Sequence, residues 1–531
     1  MLQRRHLMGA AAALPAASLA TSLSAPAMAQ PANARVVRHV PHANLSTIDP
    51  FWSSAFIVRN HAYLVYDQLY GLDNEFKPQP QMVEGHTLSP DMLTWTFTLR
   101  ENLRFHDNEP VRGRDCVASI QRWARRDAFG QRLLTQLAEM REVSDRVFEI
   151  RLNKPFPKML DAFAKITTPC LFIMPERVAR TDPFTQITDA IGSGPYRFVR
   201  NEWVPGSKAV YERVPTYTPR SSGTTEQTAG PRVGHFERVE WQIIPDFATA
   251  AAALQSGETD WWEQPTGDFL PLLRRNRNLT VEVADVLGLI GIIRPNHLTE
   301  PFNNPAVRRA VITAINQIDI MTPVIGEREL IRDKVGFFAP ASPLASDVGL
   351  DRFQNNIDAA RRELQAAGAM GARLVLMNAT DLASINASTL VVADMFRRMG
   401  FNVDYAATDW GTVLTRRASR NPLDQGGWSA FCTFWSAFDH WTPAGHNAIR
   451  GNGTDSWPGW PTIPELETKR DEWFDAPNLE AEKAATRDMQ RIAFDTVPYM
   501  PTGQYFQPTA YRRNLTGMLK GPPQFTNLKR V

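Results

Sequence analysis

Three stretches of this chain hold residue types that carry chemistry or recognition in other proteins. Phe105-His106-Asp107 sets a histidine beside a carboxylate, the pairing a general base needs. With no nucleophile near it in the pattern, that pair reads as structural. Gly192-Ser193-Gly194-Pro195-Tyr196 has the glycines of a phosphate loop but neither its lysine nor a strand–helix context, so it reads as a tight turn. HExxH, GxSxG, a Walker loop and a GxGxxG after a strand do not occur. No catalytic residue is nominated, and no enzyme activity, cofactor or bound metal is expected.

The third stretch is aromatic. Six of the 14 tryptophans lie between Trp428 and Trp473, a density that asks for a reason beyond ordinary packing. Trp428, Phe431, Phe434 and Trp435 lead toward Asp439 and His440, and apolar ring faces with a few polar groups make a small-molecule site. Trp410, Trp428, Phe431, Trp435, Asp439, His440 and Asn296 are therefore the candidate ligand-binding residues. Trp473, on an expected helix, and Trp261-Trp262 read as core or domain-edge residues.

The elements that must position these residues fall into two groups. Residues 35–280 are rich in strands: Leu93, Trp95, Phe97 and Leu99 alternate with polar neighbours, as do Phe148, Ile150 and Leu152. Asp115 is the expected N-cap of a helix through Arg126, and Ser221–Gly230 reads as an exposed loop. From about residue 300 helices and strands alternate. Asn304-Pro305 starts a helix with an apolar face from Val307 to Ile318. Further helices are expected over 358–367 and 384–399 and from the cap Asp409 to Arg417, with strands over 373–377, 401–407 and 428–434. Such βαβ order implies parallel strands, with ligands beyond their carboxyl ends at 378–383, 408–410 and 434–440.

The chain has 531 residues, too many for one ordinary core. It opens with Arg4-Arg5, an acid-free apolar run over 9–23, and Ala27-Met28-Ala29. That run is shorter than a membrane span, and the pattern is that of a cleaved signal peptide over 1–29, with Arg4-Arg5-His6-Leu7-Met8 resembling a twin-arginine signal. No cysteine follows the cut, so a soluble, unanchored periplasmic protein is expected. The segment carries two arginines and no acid, so the remainder balances 56 basic against 56 acidic residues. That balance offers no footprint for nucleic acid. Cys116, Cys170 and Cys432 have no metal-ligand spacing; one disulfide with a free thiol and three buried thiols are both compatible with them.

Ordered fragments along the chain resemble the family 5 extracellular solute-binding proteins, which include periplasmic dipeptide-, oligopeptide- and nickel-binding proteins. They are Ser46-Thr-Ile-Asp-Pro50, Tyr66–Asp73, Ser89-Pro-Asp-Met-Leu-Thr-Trp-Thr-Phe-Thr-Leu-Arg100, Leu103–Asp107, Asp115–Arg122, Gly192–Tyr196, Ala253–Asp260, Val307–Ala310 and Ala359–Gly368. The resemblance implies an α/β, bilobed periplasmic-binding-protein fold of type II, enlarged by an extra N-terminal subdomain. It implies an N-terminal lobe over 30–285 with the subdomain at about 54–187, a C-terminal lobe over 286–500, and a return segment over 501–531. A two-segment hinge is expected near Val283–Gly291 and Pro498–Tyr505. The implied function is capture of a peptide-like or other small organic solute, by a monomer, for an ABC permease driven by separate ATPase subunits. The same fold and pocket would also serve a sensory receptor, and a secreted enzyme on this scaffold would require a nucleophile–base pair. Peptide-binding members carry an Asp shortly after a Gly-Trp pair to hold the peptide's amino terminus. Here Gly427-Trp428 is followed by Ser429-Ala430-Phe431, and Phe431 takes that place. A buried ammonium needs a carboxylate, so the usual peptide mode is not expected unless a re-routed loop brings Asp439 to the site.

Overall fold

The computed structural model describes residues 35–531; the expected signal segment, with Arg4 and Arg5, lies outside them. Two large mixed sheets organise the chain. The first orders its seven strands as 279–282, 509–512, 261–262, 36–40, 238–242, 208–213 and 196–198. The second orders six as 331–332, 500–505, 289–295, 430–436, 373–379 and 402–408. A four-stranded antiparallel sheet, ordered 83–88, 94–99, 147–152 and 137–144, stands apart within the first half.

The alternating segment over 94–99 buries Trp95, Phe97 and Leu99 and leaves its threonines half-exposed, as a one-sided strand must. In the second half the helix starts fall close to where side-chain chemistry places them. Asn304 Oδ1 accepts the Ala306 N–H at 2.9 Å, and Asp409 Oδ1 accepts that of Thr412 at 2.9 Å. Gly400, at φ 109°, ends the helix Ala383–Met399 in a conformation other residues avoid.

Several expectations are corrected. Asp115 is not an N-cap. The helix Gly113–Ala124 begins before it, and its carboxylate reaches back to the Arg112 N–H at 2.8 Å while also accepting that of Glu176 at 2.7 Å. The apolar face running to Ile318 belongs to two helices, because Asn316 caps a new one over Gln317–Ile325. In the loop 221–230, Gln227, Thr228 and Ala229 are buried. Parallel pairing holds between 373–379 and both 402–408 and 430–436, but 289–295 is antiparallel to both of its neighbours. The reason is topological. Strand 289–295 carries the chain away from the first sheet, whereas 500–505 returns toward it. The three cysteines are free, buried thiols. Among the described residues, no helix is long and apolar enough to cross a membrane.

Candidate functional site

The chain passes between the two large sheets twice, at 283–288 and at 506–508. The second crossing falls just beyond the expected one, because Met500–Tyr505 is wholly buried in the six-stranded sheet. Both crossings, the helix Phe56–Val65, Ser436 and the tail segment 518–523 enclose a cavity of about 60 Å³. That is room for a few waters or one small polar group. Phe56, Arg59, Glu263, Asp285 and Gln507 line it.

Nine of the ten residues of the helix Phe56–Val65 are buried, and these include Arg59, Asn60 and His61. The Arg59 guanidinium donates to the Ile166 carbonyl at 3.1 Å and to Asn60 Oδ1 at 3.4 Å, and lies 4.7 Å over the Phe56 ring. Among the described residues it forms no ion pair. Asn60 Nδ2 donates to Glu263 Oε1 at 3.3 Å, and His42 donates to the same carboxylate through its backbone N–H at 2.9 Å. Burial opposes ionisation of Glu263, yet His42 and His39 outweigh it and hold the carboxyl far below its usual range.

From the other lobe comes Asp439. It sits in the short turn Ala437–His440 that follows the strand Ala430–Ser436, a turn started by Ser436 Oγ accepting the Phe438 N–H at 3.3 Å. Its side chain is 1% exposed, and neither carboxylate oxygen makes a formed hydrogen bond. Desolvation pushes its pKa from 3.8 to about 7, against smaller pulls from Arg59, Lys165 and the Ser436 backbone amide, and with a push from Asp285. Lys165 is itself spent on Asp127 at 2.5 Å and on Thr167, so it acts on Asp439 through its field. His440, beside it, directs Nδ1 to Tyr499 Oη at 3.2 Å and packs against His446 with ring centres 4.2 Å apart and planes tilted by 40°. Burial lowers the His440 pKa to about 3, leaving a neutral ring that engages Tyr499 and not a carboxylate.

Two apolar contacts flank these charges. Phe76, on a turn of the first half, meets Phe438 at 5.5 Å and Trp441 at 5.2 Å, which stack on each other. Phe474, ending the helix Pro464–Phe474, meets Phe129 and Phe156, while Arg132 bonds Asp471 at 3.0 Å and Lys158 bonds Glu482 at 2.8 Å. Burying Phe474 against the first half joins the two halves through rings rather than through solvent.

The profile of the bacterial extracellular solute-binding proteins, family 5, middle region, matches residues 77–457, well over half the chain. This chain belongs to that family. It is 35% identical over 480 residues, 90% of each chain, to a probable peptide ABC transporter periplasmic-binding protein of Sinorhizobium fredii. A glutathione-binding protein of Salmonella typhi is 28% identical over 307 residues, 57% of this chain and 56% of that one. Two solved structures share the bilobed fold at 17% identity and a TM-score of 0.77: a Helicobacter pylori periplasmic binding protein in complex with the peptide STSA, and a binding protein from A. tumefaciens R10 with agropinic acid. The first covers 93% of this chain and 98% of its own, the second 93% and 99%.

Within this family-5 fold, the residues nominated from the sequence divide. Asp439 and His440 lie at the carboxyl end of 430–436, where Ser436 pairs with Leu289 beside the crossing. Trp428 and Asn296 lie at the opposite end of the same strand pair. Asn296 Nδ2 donates to the Trp428 carbonyl at 3.0 Å, and the Trp428 indole N–H donates to the Ser419 carbonyl at 3.2 Å. Trp428 and Phe431 are fully buried and pack with Met377, Val413 and Trp460. Trp435 is 5% exposed against Trp457. Trp410 is half-buried, with Arg417 between it and Trp457. The pair His106–Asp107 is structural in its contacts: His106 Nε2 meets the Gly194 carbonyl at 3.0 Å and fixes the 192–196 turn. Sequence reasoning missed Arg59, Lys165, Asp285 and the Phe76 clasp. The one local signal was an arginine inside a helix with scarcely a solvent face.

Proposed function

We propose that this protein is the capture component of an ABC importer, exported through cleavage near Ala29, which takes a compact amine-bearing solute between its lobes. The crossings at 283–288 and 506–508 act as the hinge, and a membrane permease with ATPase subunits receives the solute. Family membership supports the role, and the peptide and glutathione named for relatives fit an amine-bearing ligand. The observation that carries the ligand reading is Asp439. A carboxylate buried between lobes with both oxygens unpartnered is costly, and a ligand ammonium relieves that cost. Contacts made from both lobes favour the closed state over the open one, which is how binding is signalled to a partner.

The test is native mass spectrometry of protein purified without refolding from the organism that makes it, followed by identification of any small molecule released on denaturation. The expected ligand carries a basic nitrogen, and its uptake is lost from a strain lacking this gene. A released ligand with no basic nitrogen would refute the role given to Asp439; normal uptake in the deletion strain would refute the importer role.

A further inference from the structure

The helix Pro464–Phe474 belongs to both halves of the molecule. At its start Leu466 is buried in the core around the six-stranded sheet, and Glu467 bonds Arg450 at 3.0 Å and accepts the Gly451 N–H at 2.7 Å. At its end Trp473 and Phe474 are buried in the core of the first half. Phe474 meets Phe129 and Phe156 there, and the guanidinium groups of Arg132 and Arg470 lie 5.3 and 4.8 Å from its ring centre. The charges around this ring are sorted by sign: Arg132, Lys154 and Lys158 come from the first half, Asp471, Asp475 and Glu482 from the second. Arg132 bonds Asp471 at 3.0 Å and Asp475 at 3.2 Å, Lys154 bonds Asp475 at 2.8 Å, and Lys158 bonds Glu482 at 2.8 Å. The Lys158 ammonium also lies 4.5 Å from the centre of the Trp473 ring. None of these groups lines the cavity beside Arg59 and Glu263.

We propose that this seam is a catch that favours the closed arrangement of the lobes by itself, whatever solute lies between them. It rests on the hinge given above and not on the role of Asp439. Opening at this edge draws Trp473 and Phe474 out of an apolar slot into water and parts the ion pairs. Each pair alone adds little, because most of its members reach solvent. The catch is therefore a bias and not a lock, as a receptor that must also release its solute requires. Sorting the charges by sign gives a second property. They attract across a parted seam over roughly a Debye length, about 8–10 Å at physiological salt, and so guide the ring back to its slot. A contact that favours the closed state without touching the ligand strengthens the binding of every ligand by the same factor. Affinity is thereby set apart from selectivity, which stays with the residues between the lobes.

The test is the distance between the lobes, read by double electron–electron resonance on the full mature protein after a urea wash to remove bound solute. Spin labels go on cysteines introduced at Ala138 and Glu480, exposed positions in the elements on the two sides of the seam; the three native thiols are buried. The wild type should show mainly one short distance, with a longer one growing in as NaCl rises from about 20 to about 500 mM. Arg132→Glu and Phe474→Leu should each enlarge the long-distance population roughly fivefold or more at low salt. Adding Asp471→Arg to Arg132→Glu should return much of it to the short distance. Circular dichroism and melting curves establish that each variant is folded, and the salt series needs no variant. A long-distance population unchanged in both folded variants would overturn the catch, and so would a gain that the charge swap fails to reverse. Wild-type lobes that separate on warming, with the variants matching them, would overturn the catch and leave the hinge standing. One distance in every protein, at every salt and temperature, would overturn the hinge and the catch with it.

Discussion

Replacing Asp439 by Asn should make the empty receptor more stable and the loaded one nearly unattainable. In the folded protein burial raises this carboxyl from 3.8 to about 7. A group whose folded pKa lies above its unfolded value stabilises the fold only in its protonated form. That contribution is fully present below about pH 4 and is lost as the pH rises to about 7. About 3 pH units of difference correspond to roughly 4 kcal/mol withheld from the ligand-free fold at neutral pH. Asn keeps the shape without the charge. Asp439→Asn should therefore gain a large part of that energy at pH 8 and almost none at pH 4, seen as a melting temperature several degrees higher at pH 8 only. Ligand binding moves the opposite way. Losing the carboxylate under a buried ammonium should weaken affinity roughly 30-fold or more. In the wild type, binding to the ionised form should release a proton below pH 7, so Kd should rise about tenfold per pH unit below 7 and level off above it. Of the charged groups that reach Asp439, Arg59 and Lys165 favour this ionisation and Asp285 opposes it; neighbouring His440, at about 3, does not titrate in the window. Calorimetry from pH 5.5 to 8.5 and melting curves of both proteins are the assays. An Asn variant no more stable at pH 8 than at pH 4, with flat wild-type affinity across the range, would refute the reasoning.

Other expectations follow from packing. Trp428→Ala should cost about 3–5 kcal/mol in chemical denaturation, because the indole is fully buried and anchors the Ser419 carbonyl. Phe474→Ala should cost a similar amount, and it should also raise the radius of gyration in small-angle scattering, since its ring bridges the two halves. Gly192→Ala should lose at least about 2 kcal/mol of stability, because a Cβ there would lie 2.0 Å from the Val65 carbonyl oxygen. A thiol reagent should find no reactive cysteine in the native protein and three after denaturation. Burial raises Cys170 to about 11 and Cys432 to about 12, and lifts Cys116 well above the usual range.

Local chemistry was legible wherever its partner lay within a few residues. Asn304 and Asp409 cap helices because their side chains reach amides two or three residues ahead, and the alternation over 94–99 is a strand because period two buries one face. Asp115 marks the edge of that legibility: it was expected to cap the helix, but it is the third residue inside it, and its carboxylate turns backward to Arg112 and across to Glu176, far off in sequence. The ordered family fragments, each too short to place alone, carried the family and with it the bilobed fold.

Which charges are left without partners is a different kind of fact. Arg59, Asp285 and Asp439 lie at least 150 positions apart, and nothing near Asp439 in the chain says that burial will leave both of its carboxylate oxygens without a hydrogen bond. The same holds for the tryptophans. Trp428 and Trp441 belong to the same aromatic-rich stretch, yet one packs in the core beside the six-stranded sheet and the other meets Phe76 across the lobes. Sequence by itself determined the export-like amino end, the elements and the family, because those are written in short-range order. Only the tertiary structure decided which charged groups are left buried without partners, because a buried charge is defined by what three-dimensional packing has taken away from it.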